Sequence, residues 1–147
     1  MQGTRYFSLI FGMVYLLVGI VGFIPGLHTT PPAGAPHLDQ TADYGYLFGL
    51  FPVNVWHNVV HIVVGLLGIV AYSRFSLARG YCIFVFLVFG ALTFMGFIPQ
   101  LDTVGGLIPL FSGDTWLHAA TSLAGAFFAF VTPEPTTMEP AQAVPAH

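Results

Sequence analysis

Four runs of this chain, residues 6–23, 55–72, 81–98 and 115–131, contain no Asp, Glu, Lys or Arg. Each comes close to the roughly 20 apolar residues that cross a hydrocarbon core as a helix, the one single-segment structure that satisfies its own backbone there. The expected fold is therefore all-α: a polytopic membrane four-helix bundle over residues 1–131, with 132–147 as a proline-containing disordered tail. Composition agrees, at 56% hydrophobic and 6% charged against roughly 25% charged in ordinary globular chains. Three arginines and no lysine are too few to neutralise a phosphate backbone, which sets nucleic acid aside as a partner. The lipid bilayer and other integral membrane proteins are the expected partners, with a homo-oligomer left open. The first run exceeds the roughly 7–15 residues of a signal-peptide core and is expected to be retained.

The connections differ in length. Pro25 to Asn54 reads as a long irregular loop, Pro-rich around His28 and His37, whose aromatic piece Tyr44–Pro52 suits the headgroup region. Residues 73–79 read as a short loop, and 100–113 as a second long one. Arg5, Arg74 and Arg79 all fall on one side of this arrangement, and Asp39, Asp43, Asp102 and Asp114 on the other. Basic residues favour the cytoplasmic face, so both termini are expected inside and both long loops outside.

The halves look like tandem copies, each a helical hairpin. Gly22-Phe-Ile-Pro25 ends the first run and Gly96-Phe-Ile-Pro99 the third, while Arg5 and Arg79 precede them. A shift of 57 residues carries His61 onto His118, Gly65 onto Ser122, Gly68 onto Gly125 and His57 onto Asp114. Hairpins repeated in one orientation imply a pseudo-two-fold axis along the membrane normal. Gly65 and Gly68 are expected to meet Ser122 and Gly125, bringing the second and fourth helices together.

The run Leu50-Phe-Pro-Val-Asn-Val-Trp-His-Asn-Val-Val-His61, followed by Gly65 and Gly68, and the later Asp114-Thr-Trp-Leu-His118 carry a resemblance. They resemble an uncharacterised bacterial family of small four-helix integral membrane proteins, a domain of unknown function with a Pro-x-Asn-x-x-His-Asn-x-x-His motif. The resemblance covers nearly all of the chain up to Val131. It implies a multi-pass protein of the bacterial inner membrane or an internal membrane, and it supplies no activity. Members often carry Asn where this chain has Thr115.

His57 and His61 are one helical turn apart and share a face. If the second and fourth helices pack, His57, His61, Asp114 and His118 form a plausible shell for a transition metal, since imidazole and carboxylate suit Zn, Fe or Cu. His61 and His118 could instead ligate a haem or a chlorophyll-type pigment. The simpler reading, preferred on sequence alone, gives the histidines hydrogen bonds near the helix ends and leaves the protein without a cofactor. On that reading Asn54 and Asp114 are N-caps, Trp56 and Trp116 interfacial anchors, and His57 lies nearer to solvent. Cys82 reads as a small buried residue.

No nucleophile–base pair or phosphate loop stands out, and no activity as an enzyme is expected. The absence of acids from the apolar runs disfavours a proton-driven transporter or a channel. Two functions follow: a non-enzymatic scaffold or accessory subunit of a membrane complex, or a cofactor-binding membrane protein.

Overall fold

The computed structural model describes residues 3–132. Four helices make up most of it: α1 (Gly3–Val21), α2 (Val55–Ala71), α3 (Phe75–Gly96) and α4 (Gly113–Phe130). The disorder expected of residues 132–147 falls, beyond Thr132, outside the described residues. Two of the helices, α1 and α3, are long and apolar enough to cross a membrane, while α2 is apolar but shorter at 17 residues. All four present large apolar side chains outward, among them Leu17, Val70, Phe94 and Leu123, the last 72% exposed.

The long first connection is not irregular throughout. It holds a small antiparallel sheet of β1 (His28–Thr29), β2 (Gly45–Leu47) and β3 (Phe51–Val53), in that spatial order. Tyr46, Leu47 and Val53 turn into the protein, while Phe48 and Leu50 at the β2–β3 tip stay exposed. Phe48 and Gly49 both adopt positive φ there, 53° and 73°, which closes the hairpin. Apolar side chains on the two short strands thus find a buried side, and the piece expected at headgroup level becomes, with the second long connection, a lid over the end of the bundle where α2 and α4 begin.

Helix α3 starts at Phe75, six residues before the expected boundary at Tyr81. The turn is only Tyr72–Arg74, with Arg74 extended as the N-cap. Arg79 can sit inside a helix because its side chain finds a fixed acceptor. Its Nε donates to the Ala129 carbonyl at 3.0 Å, at the end of α4, where a cation also meets the negative end of the helix dipole. At the same end of the bundle Arg5 Nε donates to the Tyr72 carbonyl at 2.7 Å, just past α2.

Packing runs within the sequence hairpins: α1 lies antiparallel along α2, and α3 along α4. The expected meeting of Gly65 and Gly68 with Ser122 and Gly125 does not occur. A Cβ on Gly12 would lie 2.6 Å from Ile69 N and 2.7 Å from Gly65 O, and one on Gly68 would lie 2.7 Å from Ser8 O. A Cβ on Gly125 would lie 2.9 Å from both Cys82 O and Phe86 N. The stripe on α2 faces the complementary glycines of α1, its nearest neighbour in sequence, so each stripe is consumed inside its own hairpin.

These contacts recur at fixed shifts, 74 residues for the first helix of each hairpin and 57 for the second. Arg5 with Tyr72 becomes Arg79 with Ala129. The approach of Gly65 to the Gly12 carbonyl becomes a hydrogen bond from Ser122 Oγ to the Phe86 carbonyl at 2.8 Å. Gly22 abuts Asn58, and Gly96 abuts Thr115.

Replacing Gly65 with Leu should force α1 from α2 and cost about 1–3 kcal/mol or more. Leu66→Ile, on the exposed face of the same helix, should change stability by no more than about 0.5 kcal/mol. Melting of both variants in detergent checks the difference, and equal melting would place the close contact elsewhere.

Candidate metal centre

Asn54 sets the outer end of α2. Extended at φ −146°, it caps the helix by accepting the His57 amide at 3.0 Å, as expected. Its amide nitrogen donates to two carbonyls, Gln40 O at 3.1 Å in the first long connection and Leu107 O at 2.7 Å in the second. The connections also join directly, because Asp39 and Gln40 amides both reach Gly106 O. A single buried side chain therefore ties both lids to the first turn of the helix that carries the histidines.

From that turn His57 and His61 point inward together, with their Nε2 atoms 3.0 Å apart. Opposite them, α4 supplies Asp114 and His118 from its own first turns. Asp114 Oδ2 lies 3.4 Å from His118 Nε2 and 3.8 Å from His57 Nε2. One ring nitrogen from each of His57, His61 and His118 falls within 4.8 Å of the others. The structure thus brings together all four residues that the sequence offered as a metal shell.

Two of them sit differently from expectation. Asp114 is not the N-cap of α4: that position is Ser112, at φ 64° with no side-chain cap bond, and Asp114 turns into the core from the first turn. Nor is His57 the solvent-side residue, since it is 3% exposed beneath the lids that Asn54 holds down. His28 and His37 lie apart on the first connection, where His37 is exposed and His28 half-buried in β1.

Aromatic rings wall the cluster. Tyr15 of α1 meets His61 edge-on with centroids 5.1 Å apart, and Phe89 of α3 meets His118 likewise at 5.0 Å. Tyr15 and Thr121 share a buried hydrogen bond of 2.9 Å between their hydroxyls, which ties α1 to α4 just below the histidines. Sequence reasoning passed over Tyr15, although a hydroxyl facing the middle of an apolar run must find a partner. It passed over Asn54's second role as well, because nothing local in sequence announces a bond to residue 107.

The polar capacity of the cluster is only partly used. A neutral imidazole carries one N–H, so the His57–His61 contact spends one proton between two rings. The Nδ1 atoms of His61 and His118 are buried with no hydrogen-bond partner among the described residues, and the same holds for Asp114 Oδ2. Asp114 Oδ2 faces the converging Nε2 atoms, and for that buried, unpaired oxygen a bound ion is one explanation.

The three imidazoles and carboxylate suit an ion better than a tetrapyrrole. With metal–nitrogen bonds of about 2.0–2.1 Å, tetrahedral ligand nitrogens lie roughly 3.3 Å apart, within reach of small rotations from the separations here. A tetrapyrrole ring held between His61 and His118 would have to occupy the space of His57 and Asp114. The adjoining cavity measures about 180 Å³, below the roughly 300 Å³ where sites for larger ligands begin.

Fold and site together define a small apolar four-helix protein with a buried histidine–aspartate cluster under its lids. A family model described as Domain of unknown function (DUF4383) matches residues 5–131, and the chain belongs to that family. No curated protein and no solved structure matches the chain.

Replacing Asn54 with Ala removes the cap and both carbonyl bonds, and should cost about 2–4 kcal/mol by summing a cap and two buried hydrogen bonds. Tyr15→Phe should cost only about 1 kcal/mol, and Thr121→Val with it little more, because the pair is then removed as a unit. Denaturation of the purified single and double variants measures both.

Proposed function

We propose that this chain is a four-span membrane protein that holds one transition-metal ion among His57, His61, Asp114 and His118 at the outer end of its bundle. The observation that carries this reading is the convergence itself. Two separate hairpins each send a pair of ligand-type side chains, one turn apart, to the same buried point. In an apolar interior an imidazole or carboxylate without a partner is costly, and a shared cation gives all four a partner at once. An N3O donor set suits Zn, Fe, Cu or Ni rather than Mg or Ca, which take oxygen ligands.

Several features support the membrane setting. Large apolar side chains face outward on every helix, as lipid requires and water does not. The three arginines gather at one end of the helices, with Asp39, Asp43, Asp102 and Asp114 toward the other, which supports termini in the cytoplasm and lids outside. Trp56 and Trp116 are exposed near the outer ends of α2 and α4, where an interfacial ring would sit. The recurrence of contacts at fixed shifts supports an origin by duplication, with His61 and His118, and His57 and Asp114, as corresponding positions about a pseudo-two-fold axis.

A scaffold or accessory-subunit role is the second reading, and a specific observation favours it. Phe48, Leu50 and Trp116 leave an exposed apolar patch at the outer end, suited to another integral membrane protein or a second copy. It can coexist with a metal site.

Elemental analysis of detergent-purified protein, after exchange against a weak chelator, tests the metal reading. The expected result is one Zn, Fe, Cu or Ni per chain, kept in a Trp116→Ala control and reduced at least tenfold in affinity by His61→Ala or His118→Ala. Absence of stoichiometric metal, or metal retained in both histidine variants, would leave the scaffold reading. Reporters attached at residue 37 and after residue 132 should lie on opposite sides of the membrane.

A further inference from the structure

The cluster adjoins a cavity of about 180 Å³. The three imidazoles form its polar end. Val60, Val64, Val88, Phe89 and Leu92 line its length between α2 and α3, and Val104, Ile108 and Leu110 of the second lid close it above. Val64, Phe89 and Leu110 are buried, whereas Val60 is 39% exposed and Val88 and Leu92 half-exposed. The partly exposed Val60, Val88 and Leu92 put its opening at the α2–α3 seam, on an outer surface of apolar side chains.

Its size and lining restrict what can enter. An apolar cavity of about 150 Å³ stays dry and takes up benzene or xenon, so the stretch of this slightly larger one walled by Val, Leu, Ile and Phe, away from its imidazole end, favours apolar occupants over water. A charged or strongly hydrogen-bonding molecule would lose its hydration with nothing to replace it along those walls. Only the imidazole end offers polar chemistry, and there the metal proposed above would present any coordination position that the protein leaves free.

We infer that this cavity is a binding chamber for a small neutral lipid-soluble molecule of the diatomic-gas class, which enters from the bilayer between α2 and α3 and coordinates the metal. The inference rests on the metal reading and narrows it. A tetrahedral ion filled by three imidazoles and Asp114 would have no position left, as in closed structural zinc sites. The chamber goes instead with a metal of higher coordination number, and Fe(II) with histidine and carboxylate ligands is the type that keeps open positions for such molecules. A neutral diatomic is small enough for the chamber, partitions into lipid and binds Fe(II) without bringing charge into the interior.

Two probes separate the chamber from the metal. Xenon, followed by its own NMR signal, reports the cavity in metal-free protein, and nitric oxide added without air to Fe(II)-loaded protein reports access to the iron through the high-spin iron–nitrosyl EPR signal. The variants Val88→Phe and Ile108→Phe fill the cavity from different walls without touching a ligand. Melting curves show which of them fold, and iron content shows that the site is intact. The expected result is xenon binding and a nitrosyl signal in the parent protein. In the filled variants both should weaken by roughly tenfold or more while iron stays bound, a difference of about 1.4 kcal/mol. Bound iron with no nitrosyl, or with a nitrosyl signal indifferent to both substitutions, would overturn the chamber and leave the metal reading standing. Failure of the parent protein to bind iron would overturn this inference, whatever xenon does, while the metal reading would still stand or fall on the content of Zn, Cu or Ni.

Discussion

Polar side chains carried into an apolar bundle must be answered from within it, and the structure depends on how this chain meets that demand. His57, His61, Asp114 and His118 all sit within the first two turns of their helices, close enough to the lids to be anchored and deep enough to be dry. They approach one another at 3.0–3.8 Å, yet Asp114 Oδ2 makes no hydrogen bond at these distances and Nδ1 of His61 and of His118 finds no partner among the described residues. Such a cluster without an ion is a cost that packing must offset. With an ion it becomes a further tie between two hairpins that are also joined by aromatic contacts, by the Tyr15–Thr121 and Thr4–Phe128 bonds, and by the bonds of Asn54, Asp39 and Gln40 to the second connection.

The glycines make this arrangement possible at a distance. Gly12 against Gly65 and Gly68, and Gly125 against Cys82 and Phe86, bring each pair of helices into backbone contact. In lipid that closeness must come from van der Waals packing, because no hydrophobic drive exists between helices there. The close packing sets the register of each hairpin, and that register fixes where its pair of polar side chains emerges. The lids complete the placement. Asn54 donates to Gln40 O and Leu107 O at once, so neither connection can lift without breaking a hydrogen bond to the residue that caps the histidine helix.

Much of this was legible from residue types and spacing. The four uncharged runs located the helices, Asn54 announced its cap, and the matched positions of His61 and His118 placed both rings inward at one end. The partners of the helix faces were not legible, since a glycine stripe on α2 fits a stripe on α1 as well as one on α4, and chain adjacency decided for α1. Asp114 read as a cap because Asp after Ser-Gly usually is one; only the position of His57 and His118 in space shows why its carboxyl turns inward. The sheet escaped notice because its strands are two or three residues long, too short for an alternating pattern, and their stability comes from Leu38, Tyr46 and Val53 buried beneath the lids. The early start of α3 was hidden by Arg74 and Arg79, which look like loop residues until Arg79 is seen reaching the end of α4.

X-ray absorption at the metal edge of the loaded, detergent-purified protein tests the central claim most directly, because it reports the ligands rather than the presence of an ion. Histidine and carboxylate ligation predicts a shell of nitrogen and oxygen at about 2.0–2.2 Å, with the outer-ring scattering of about three imidazoles behind it. That outer scattering should fall by about one imidazole in His118→Ala. A sulfur shell at about 2.3 Å would place the metal at Cys82, and a shell of light atoms with no imidazole scattering would place it outside the cluster; either contradicts the site.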